Sequence, residues 1–425
     1  MKKMALTTVG CRLNQYETEQ IAAKLSEYGL RRVPYSQKAD LYILNTCTVT
    51  GRADSDCRNL INRAYRLNPD AVMVVAGCYV VAEKDMLSEM NGVDLVVDNR
   101  QKIELPNLLR GKYPALFQDG DSDSASCLSK MDLTDQNISP PNRPMVQIGT
   151  GCNQNCSYCI VPRVRGELVS FSSGKIINET KELVYRGYHE VVLTAVHIGK
   201  YKFNNLNLAG LVNKILKETS LPRLRLSSLE PNELDDELMD LVANNSRVCR
   251  HLHLPLQSGS DRILKLMNRP YNRDAYLRIT ERVKKANEAV TIGCDLIVGF
   301  PGETDDDFEY SLDILKSGYI DYGHIFSYSD RPGTPASDMP EKISPPVIKE
   351  RNRIAREICD KNRNRQLEKH IGVEVYVISE HSKNKEGYYN AVSDNYLKVR
   401  LPKGIGGGKK ILRFLPSIVA NNILI

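Results

Sequence analysis

The chain has 425 residues, of which 41% are hydrophobic, so it is long enough to form two or three domains with ordinary cores. It carries no run of about 18 apolar residues, and its first ten residues hold only a short, interrupted apolar stretch. These features argue against a membrane span and a secretory signal peptide, so we expect a cytoplasmic protein whose thiols stay reduced.

The positive charge is concentrated near the carboxyl end of the sequence. The whole chain has 58 Lys and Arg against 52 Asp and Glu, and residues 361–425 hold 12 basic and 5 acidic residues. The rest of the chain therefore carries almost no net charge. A local excess of positive charge is typical of nucleic-acid-binding segments, although a merely well-solvated basic surface has the same composition.

Strands and helices alternate in the first hundred residues. Short apolar runs predict the strands, and amphipathic patterns predict the helices between them. The predicted strands are Ala5–Val9, Leu41–Asn45, Ala71–Ala76 and Asp94–Val97, and the predicted helices are Tyr16–Tyr28, Ala53–Leu67 and Glu83–Met90. Repeated strand–helix units indicate a Rossmann-like parallel sheet wrapped by helices, and we assign residues 1–115 to this domain.

The alternation of strands and helices stops at residues 116–142, which are rich in Asp, Ser and Pro and which we assign to a linker. A second α/β region follows. Beyond the linker, the predicted strands are Met145–Ile148, Glu190–Leu193, Arg223–Ser227, His251–Leu256, Ile292–Val298 and Tyr322–Phe326. The predicted helices between them are Lys175–Tyr185, Leu208–Lys217, Glu233–Val242, Ala275–Ala289 and Thr304–Lys316. Six such units predict a partial (β/α)6 barrel over residues 143–360.

The last part of the chain combines a long basic helix with short strands. The predicted helix is Ile348–His370, and the predicted strands are Val373–Ser379, Tyr388–Val392, Tyr396–Arg400 and Ile411–Phe414. We assign residues 361–425 to a small β-barrel, which in size and strand count resembles RNA-binding modules.

Three cysteines lie in a loop that follows a predicted strand. Cys152, Cys156 and Cys159, here called the loop triplet, are separated by three and two residues. Three thiolates on one short loop can hold three irons of a 4Fe–4S cluster, which leaves the fourth iron open. An open iron can chelate S-adenosylmethionine, whose reductive cleavage gives a 5′-deoxyadenosyl radical. The alternative is a zinc site, but zinc prefers four closed ligands and no second cysteine pair of this spacing lies nearby.

Three other cysteines are far apart in sequence but share a position in the predicted sheet. Cys11, Cys47 and Cys78, here called the strand-end triplet, each follow the carboxyl end of a strand. Because such ends meet at one edge of a parallel sheet, we expect the three thiols to converge. Gly10 and Gly77 would let the backbone turn tightly beside a ligand. The pattern predicts a second three-cysteine cluster, and three inert buried cysteines are the alternative.

The remaining five cysteines have no ligand spacing. We assign them to packing; they are Cys57, Cys127, Cys249, Cys294 and Cys359.

Taken together, these motifs resemble those of the methylthiotransferases of the radical S-adenosylmethionine superfamily over nearly the whole chain. The matching segments are residues 9–19, Asn45–Thr50, Gly77–Cys78, Gly151–Cys159 with Pro162 and Arg165–Gly166, Arg225–Pro231, His251–Ser260 and Gly299–Thr304. The resemblance implies a radical 4Fe–4S cluster on the loop triplet, an auxiliary 4Fe–4S cluster on the strand-end triplet, and a C-terminal TRAM domain that contacts RNA. It also implies that one S-adenosylmethionine methylates a sulfur on the auxiliary cluster and another supplies the radical.

The segment Cys11–Glu19 resembles the branch of the family that acts on N6-threonylcarbamoyladenosine at position 37 of tRNA, next to the anticodon. The resemblance therefore implies a transferase that methylthiolates C2 of this base. The implied partners are the tRNA anticodon stem-loop, S-adenosylmethionine and an electron donor such as flavodoxin or ferredoxin, and we expect a monomer that binds no membrane. The alternatives are isopentenyladenosine in tRNA, an aspartate of ribosomal protein S12, or a zinc-stabilised RNA-binding protein without catalysis.

Three further residues are predicted to bind the cofactor. Glu230 and Gln257 lie at the ends of barrel strands, where active sites form, and we expect them to contact the ribose or methionine part of S-adenosylmethionine. Tyr158 lies inside the cysteine loop, and we expect it beside the adenine. Ordinary loop structure is the alternative for Glu230 and Gln257.

Overall fold

The computed structural model describes residues 1–117 and 142–425. Most of the predicted linker, including Cys127, lies outside the described residues. The described chain falls into two compact units, one made of residues 1–117 and 160–166 and the other of residues 142–159 and 167–425. Within the described ranges, no helix is long and apolar enough to cross a bilayer.

The first unit is built on a parallel sheet of five strands. The strands are β1 (Lys3–Thr8), β2 (Arg31–Val33), β3 (Leu41–Thr46), β4 (Val72–Gly77) and β5 (Leu95–Val97), in the order β2-β1-β3-β4-β5. The helices are α1 (Arg12–Glu27), α2 (Gly51–Leu67), α3 (Cys78–Ala82), α4 (Lys84–Ser88), α5 (Leu105–Lys112) and α6 (Val161–Arg165), with 3₁₀ turns at Lys102–Glu104 and Pro114–Leu116. Successive side chains of β3 enter two separate apolar clusters, with Ile43 in one and Leu44 in the other, so both faces of the sheet are covered.

Several elements of this unit differ from the sequence prediction, and α5 was not predicted at all. The pattern of apolar residues missed β2, because this strand has three residues and two of them are Arg31 and Arg32. The helix predicted over Glu83–Met90 is replaced by α3 and α4, and α3 begins at Cys78. Gly77 turns the chain directly after β4 with a φ of +109°, a conformation that glycine adopts without strain.

The second unit contains the predicted partial barrel. Its strands are β6 (Met145–Gln147), β7 (Gly149–Thr150), β8 (Val169–Ser170), β9 (Glu190–Thr194), β10 (Arg223–Leu226), β11 (His251–His253), β12 (Thr291–Val298) and β13 (Tyr322–Ser327). Its helices are α7 (Ser173–Tyr185), α8 (Leu208–Glu218), α9 (Asp236–Asn244), α10 (Asp261–Leu266), α11 (Arg273–Ala286) and α12 (Asp305–Lys316), with 3₁₀ turns at Ile198–Lys200, Pro231–Glu233 and Pro335–Asp338. Two parallel sheets, β10-β9-β6 and β11-β12-β13, enclose one large apolar core, and a bridge between Leu224 and Val248 links β10 to the segment that leads into β11.

A mixed sheet completes the second unit. Helix α13 (Pro345–Glu368) leads into β14 (Val375–Lys383), β15 (Tyr389–Ser393), β16 (Lys398–Arg400), β17 (Leu412–Phe414), β18 (Val419–Ala420) and β19 (Ile423–Leu424). The strand order is β17-β14-β15-β16-β19-β18, and β18 and β19 are two-residue strands that the sequence pattern missed. The predicted fold class is confirmed: a parallel sheet, a partial (β/α) barrel and a small C-terminal mixed sheet. The last, residues 375–425, is called the C-terminal module below.

The C-terminal module is joined to the edge of the barrel at which the strands begin. Glu190, the first residue of β9, pairs with Arg223 at 2.6 Å and with Arg225 at 2.8 Å, and all three side chains are buried. The two guanidiniums also donate to main-chain carbonyls of the module, namely those of Tyr376, Ser393 and Asp394, at 2.9, 2.8 and 3.1 Å. This joint leaves the opposite edge of the barrel, where the strands end, to the loops.

Candidate metal centres

The structure brings the strand-end triplet to one edge of the first sheet. Cys11 follows β1 and precedes α1, Cys47 follows β3, and Cys78 begins α3 after β4. These three strands are adjacent in the sheet. Since neighbouring strands lie about 4.8 Å apart, the three positions span roughly 10 Å across the edge.

Glycines without side chains allow the backbone to approach this triplet closely. A Cβ atom at Gly10 would lie 2.4 Å from Cβ and 2.8 Å from Sγ of Cys47, and the φ of Gly10 is +111°. A Cβ at Gly77 would lie 2.7 Å from the carbonyl oxygen of Thr46. Both turns therefore need glycine for space as well as for conformation.

Two of the three thiols are shielded from water. Cys47 and Cys78 are buried, whereas Cys11 is exposed. Burial raises the pKa of the Cys47 thiol to about 12, and the nearby Cys78 and Cys11 thiols act in the same direction. The metal-free protein therefore keeps this thiol protonated, and a bound metal must displace the proton because the thiolate is the ligand.

Two asparagines hold the surroundings of the triplet in place. Asn14 donates to the carbonyl of Thr46 at 2.8 Å, and its side-chain oxygen accepts from the Cys11 thiol at 3.7 Å. Asn99 donates an N–H to the sulfur of Cys78 at 3.4 Å. The two hydrogen bonds with the thiols orient the cysteines, and the donor on Asn99 also stabilises thiolate charge at Cys78. Sequence reasoning gave neither asparagine a role, although Asn14 lies only three residues after the first cysteine.

A buried set of charges lies beside these asparagines. Lys102 donates to Glu17 at 2.5 Å, and Arg165 donates to the other oxygen of Glu17 at 2.7 Å. The same two cations also donate to the side-chain oxygens of Asn45 and Asn14, respectively. The side chains of Lys102 and Arg165 are only 4% and 3% exposed. Sequence reasoning did not identify this set.

The loop triplet lies at the carboxyl edge of the barrel strands, directly after β7. The loop is fixed by main-chain hydrogen bonds, since the N–H of Ser157 donates to Met267 at 3.1 Å and the N–H of Cys159 donates to Cys156 at 3.0 Å. A loop held in this way presents its thiols from a fixed backbone.

A buried arginine contacts one sulfur of the loop triplet. Arg269 donates to Sγ of Cys156 at 3.1 Å and pairs with the carboxylate of Glu230, and its side chain is 2% exposed. Burial raises the pKa of Cys156, and Arg269 opposes that effect. Arg269 was not predicted, because a single arginine after α10 has no distinctive spacing in the sequence.

A histidine contacts a second sulfur of the loop triplet. Nδ1 of His197 lies 3.5 Å from Sγ of Cys152, and its Nε2 lies 2.8 Å from both oxygens of Glu233. Burial lowers the pKa of His197, but the hydrogen bonds to Cys152 and Glu233 outweigh burial and raise it to about 9. Sequence reasoning noted that His197 follows a strand but assigned it no role.

The three residues predicted to bind the cofactor surround the same edge of the barrel. Glu230 follows β10 and is engaged by Arg269. Gln257 follows β11 with a φ of +62°, a strained value for a residue other than glycine, and its main chain is bonded to both Asp295 and Ile297 of β12. Tyr158 packs in an apolar cluster, and burial raises its pKa well above the ordinary value. The contact of these residues with a cofactor stays a prediction.

The donor atoms at both triplets suit iron–sulfur clusters. Each site offers three sulfurs, and each has an N–H donor directed at a sulfur, from Asn99 in one case and from Arg269 in the other. The residues present therefore fit such a cluster. Within residues 1–117 and 142–425, no three His, Cys, Asp or Glu side chains converge closely enough to form a ready site for a single metal ion.

Comparison with known families matches both parts of the chain that carry the triplets. The radical SAM superfamily matches residues 146–315, and a family described as uncharacterized protein family UPF0004 matches residues 3–98. Among solved structures, the radical S-adenosylmethionine methyltransferase TsrM from Kitasatospora setae has a TM-score of 0.57 and 15% identity, and the match covers 79% of this chain and 77% of that one. At this identity the likeness concerns the fold alone.

Relatives with curated names align over nearly the full length. The chain is 36% identical to threonylcarbamoyladenosine tRNA methylthiotransferase MtaB of Aquifex aeolicus, covering 93% of this chain and 98% of the relative. It is 34% identical to the Bacillus subtilis enzyme of the same name, with 94% and 90% covered. It is 32% identical to tRNA-2-methylthio-N(6)-dimethylallyladenosine synthase of Cereibacter sphaeroides, with 100% and 98% covered.

Proposed function

We propose that this chain, which belongs to the radical S-adenosylmethionine methylthiotransferase family, converts N6-threonylcarbamoyladenosine at position 37 of tRNA to its 2-methylthio derivative. The observation that carries the proposal is the presence of two cysteine triplets in one chain, one at the carboxyl edge of the first parallel sheet and the other in the loop after β7, beside residues that follow the barrel strands. Attachment of sulfur to an unactivated ring carbon needs both a radical source and a sulfur source, and the two triplets provide a place for each.

We assign a 4Fe–4S cluster to each triplet, with one iron of each left without a protein ligand. When bound, the first would supply the electron that splits S-adenosylmethionine and the second would supply the sulfur. The chain's own residues hold the thiolates: Arg269 places a positive charge against Cys156, and Glu230 keeps that guanidinium in position. We place S-adenosylmethionine at the same edge, beside Tyr158 and Gln257, because ligands of barrel enzymes bind where the strands end.

The division of labour along the chain is also part of the proposal. We assign residues 1–115 to the auxiliary cluster, residues 143–360 to the radical barrel and residues 361–425 to RNA binding, with residues 116–142 as the linker. We further propose a cytoplasmic monomer that takes single electrons from a protein such as flavodoxin or ferredoxin. Abundant tRNA and reduced thiols in that compartment support this assignment.

The C-terminal module offers suitable chemistry for RNA. Arg400 and Lys403 lie over the ring of Tyr388, at 5.7 and 5.2 Å from its centroid. An open cleft of about 460 Å³ runs beside the module and is lined by basic side chains that include Arg186 and Lys409. Aromatic rings flanked by cations stack bases and neutralise phosphates, so we propose this surface as the tRNA contact.

A second candidate substrate is isopentenyladenosine. The full-length similarity to a dimethylallyladenosine synthase, at 32% identity, favours it over any substrate outside tRNA. The two bases differ at N6 and share the reacting C2 carbon, so the same cysteine triplets would serve either one.

The proposal is tested by reconstituting the protein with iron and sulfide without oxygen and adding S-adenosylmethionine, dithionite as reductant and tRNA from cells that lack the gene. We expect mass spectrometry of the nucleosides to show 2-methylthio-N6-threonylcarbamoyladenosine and an unchanged pool of isopentenyladenosine. Methylthiolation of isopentenyladenosine instead would establish the second candidate. A colourless zinc protein that produces no 5′-deoxyadenosine would refute both.

Cysteine variants assign the triplets separately. Replacing the three loop cysteines with alanine should abolish 5′-deoxyadenosine formation. Replacing the three strand-end cysteines should leave 5′-deoxyadenosine formation intact but abolish the methylthio product. Cys359→Ala is the matched control, because this cysteine is buried in α13 and belongs to neither triplet.

A further inference from the structure

Two buried cations and one partly exposed carboxylate of the first unit together carry a net positive charge. Lys102 and Arg165 both pair with Glu17, and one carboxylate can neutralise only one of the two cations. The side-chain oxygens of Asn14 and Asn45, to which the two cations also donate, are neutral. Both cationic side chains are almost fully excluded from water, so solvent does little to screen the excess charge.

These charges lie beside the strand-end triplet. Asn14, which accepts from Arg165, is three residues after the first cysteine of the triplet and also accepts from its thiol. Asn45, which accepts from Lys102 at 3.0 Å, is two residues before the second cysteine. The Asn14 amide thus links Arg165 to the Cys11 thiol, and Lys102 is held beside the strand that leads into Cys47.

We propose that Lys102, Arg165 and Glu17 form a charge socket that compensates the negative charge of a cluster on the strand-end triplet. In this role the socket raises the cluster's reduction potential and its affinity for an anionic sulfur ligand of the hydrosulfide class. The inference rests on the proposed function, because it requires a cluster on that triplet. Lys102 and Arg165 act through the field that they create, so they are positioning residues and do not bind the metal.

The sign of the charge follows from the ligands. The core of a cubane cluster carries fewer positive charges than three thiolates carry negative ones, so the assembly is an anion. Burying an anion is unfavourable unless opposite charge lies nearby, and the single excess positive charge of the socket provides it. An incoming sulfur anion then meets less repulsion than it would beside an uncompensated cluster.

The charges of the socket are not balanced when no cluster is present. Burial lowers the pKa of Lys102, Glu17 opposes this effect, and Arg165 lowers the pKa further. The charged form of Lys102 is thus less favourable in the metal-free protein than in water, whereas Glu17 stabilises the charged form of Arg165. A purely structural ion pair would be better served by one cation.

The test uses protein in which the three loop cysteines are replaced by alanine, so that only the strand-end triplet can hold a cluster. The reduction midpoint is measured by anaerobic titration followed by electron paramagnetic resonance, and sodium hydrosulfide is then titrated against the cluster. We expect Lys102→Met to shift the midpoint to lower potential and to weaken hydrosulfide binding about tenfold or more. Glu17→Gln, which removes a negative charge, should shift the midpoint in the opposite direction.

Two further variants exclude trivial causes. Lys24→Met is the matched control, because this lysine is half exposed on α1, pairs with Glu27 and should leave the midpoint unchanged. Lys102→Arg keeps the charge and should keep both the cluster and its potential. If Lys102→Met fails to hold a cluster, retention in Lys102→Arg together with the upward shift in Glu17→Gln still supports the socket.

The outcomes separate this inference from the proposed function. A parent protein that binds no cluster through the strand-end triplet contradicts the proposed function itself. A parent that binds the cluster, with midpoints that stay unchanged or move in the same direction in Lys102→Met and Glu17→Gln, overturns the socket and leaves the proposed function standing.

Discussion

Two carboxylates in this molecule, Glu190 and Glu17, each pair with two buried cations, and the partly exposed Arg143 lies 3.9 Å from Glu190 as a third. The positive charge around the two carboxylates is met in different ways. Around Glu190, at the start of the barrel strands, both cations are arginines that also donate to main-chain carbonyls of the C-terminal module. Around Glu17, the cations donate to two side-chain amides next to the strand-end cysteines. The donors of the first set are thus matched by carbonyls of the fold, whereas the proposed cluster would supply the negative charge that the second set lacks.

The largest expected effect is the loss of the carboxylate in the barrel. Glu190→Gln leaves two buried guanidiniums without a counter-charge, and we expect a loss of about 3–5 kcal/mol in the free energy of unfolding. Glu17→Gln should cost less in metal-free protein, because the Glu17 side chain is 17% exposed and the Glu190 side chain is fully buried. Urea denaturation measures both, with Asp236→Asn of an exposed ion pair as the control. Equal losses of unfolding free energy in Glu190→Gln and Glu17→Gln would contradict the difference proposed between the two sites.

Acid should reduce the stability that Glu190 and its two arginines contribute to the fold, in a defined pH window. Burial raises the pKa of Glu190, but Arg225 and Arg223 outweigh burial and hold the pKa at about 2, below its ordinary value of 4.5. A lowered carboxyl pKa stabilises the fold above the unfolded pKa, and this contribution fades as the pH falls from 4.5 towards 2. A shift of this size corresponds to on the order of 3 kcal/mol.

The pH dependence is checked by urea denaturation of the parent and Glu190→Gln at neutral pH and near the lower end of that window. The stability difference between the two proteins should shrink as the pH falls. A difference that stays constant would show that the charge of Glu190 contributes little.

Removal of the excess cation beside the strand-end triplet should have a smaller effect on stability. In metal-free protein, Lys102→Met leaves Glu17 and Arg165 as a matched pair, so the free energy of unfolding should fall by about 1 kcal/mol or less. Arg225→Met should cost more, because it leaves carbonyls of the C-terminal module without their donor. The two variants are compared by urea denaturation without metal. A larger loss for Lys102→Met would show that the lysine is structural.

The smallest effect concerns tRNA binding. Lys403→Ala removes a cation over Tyr388 and should weaken tRNA binding about twofold to threefold. The slope of log K against the logarithm of the salt concentration should fall in magnitude by about one. Filter binding at several salt concentrations measures both quantities. Stability should not change, in contrast to the arginines of the joint. An unchanged salt dependence would exclude Lys403 from the RNA surface.

The sequence predicted those parts of the site that depend on chain order. Each cysteine of the strand-end triplet directly follows an apolar run, and parallel strands bring such positions to one edge whatever the details of packing. The same logic located the loop triplet, Glu230 and Gln257 at the ends of barrel strands. The fold class followed from the alternation of strands and helices for the same reason.

The charged partners of the cysteines could not be predicted in this way. Lys102 lies in a polar segment that reads as an exposed loop, yet it is 3% exposed because a 3₁₀ turn directs it towards Glu17. Arg165 reaches the first unit only because residues 160–166 pack there, which no local pattern indicates. Short edge strands such as β2 and β18 were missed because two or three residues show no periodicity.

The joint at the base of the barrel also fixes the distance between the C-terminal module and the loop triplet. The module is held where the strands begin, and the loop triplet lies where they end. β12 has eight residues and rises about 26 Å. An RNA bound as proposed would therefore have to extend along the side of the barrel to present a base at the far end. A free nucleoside would be too short to contact both places.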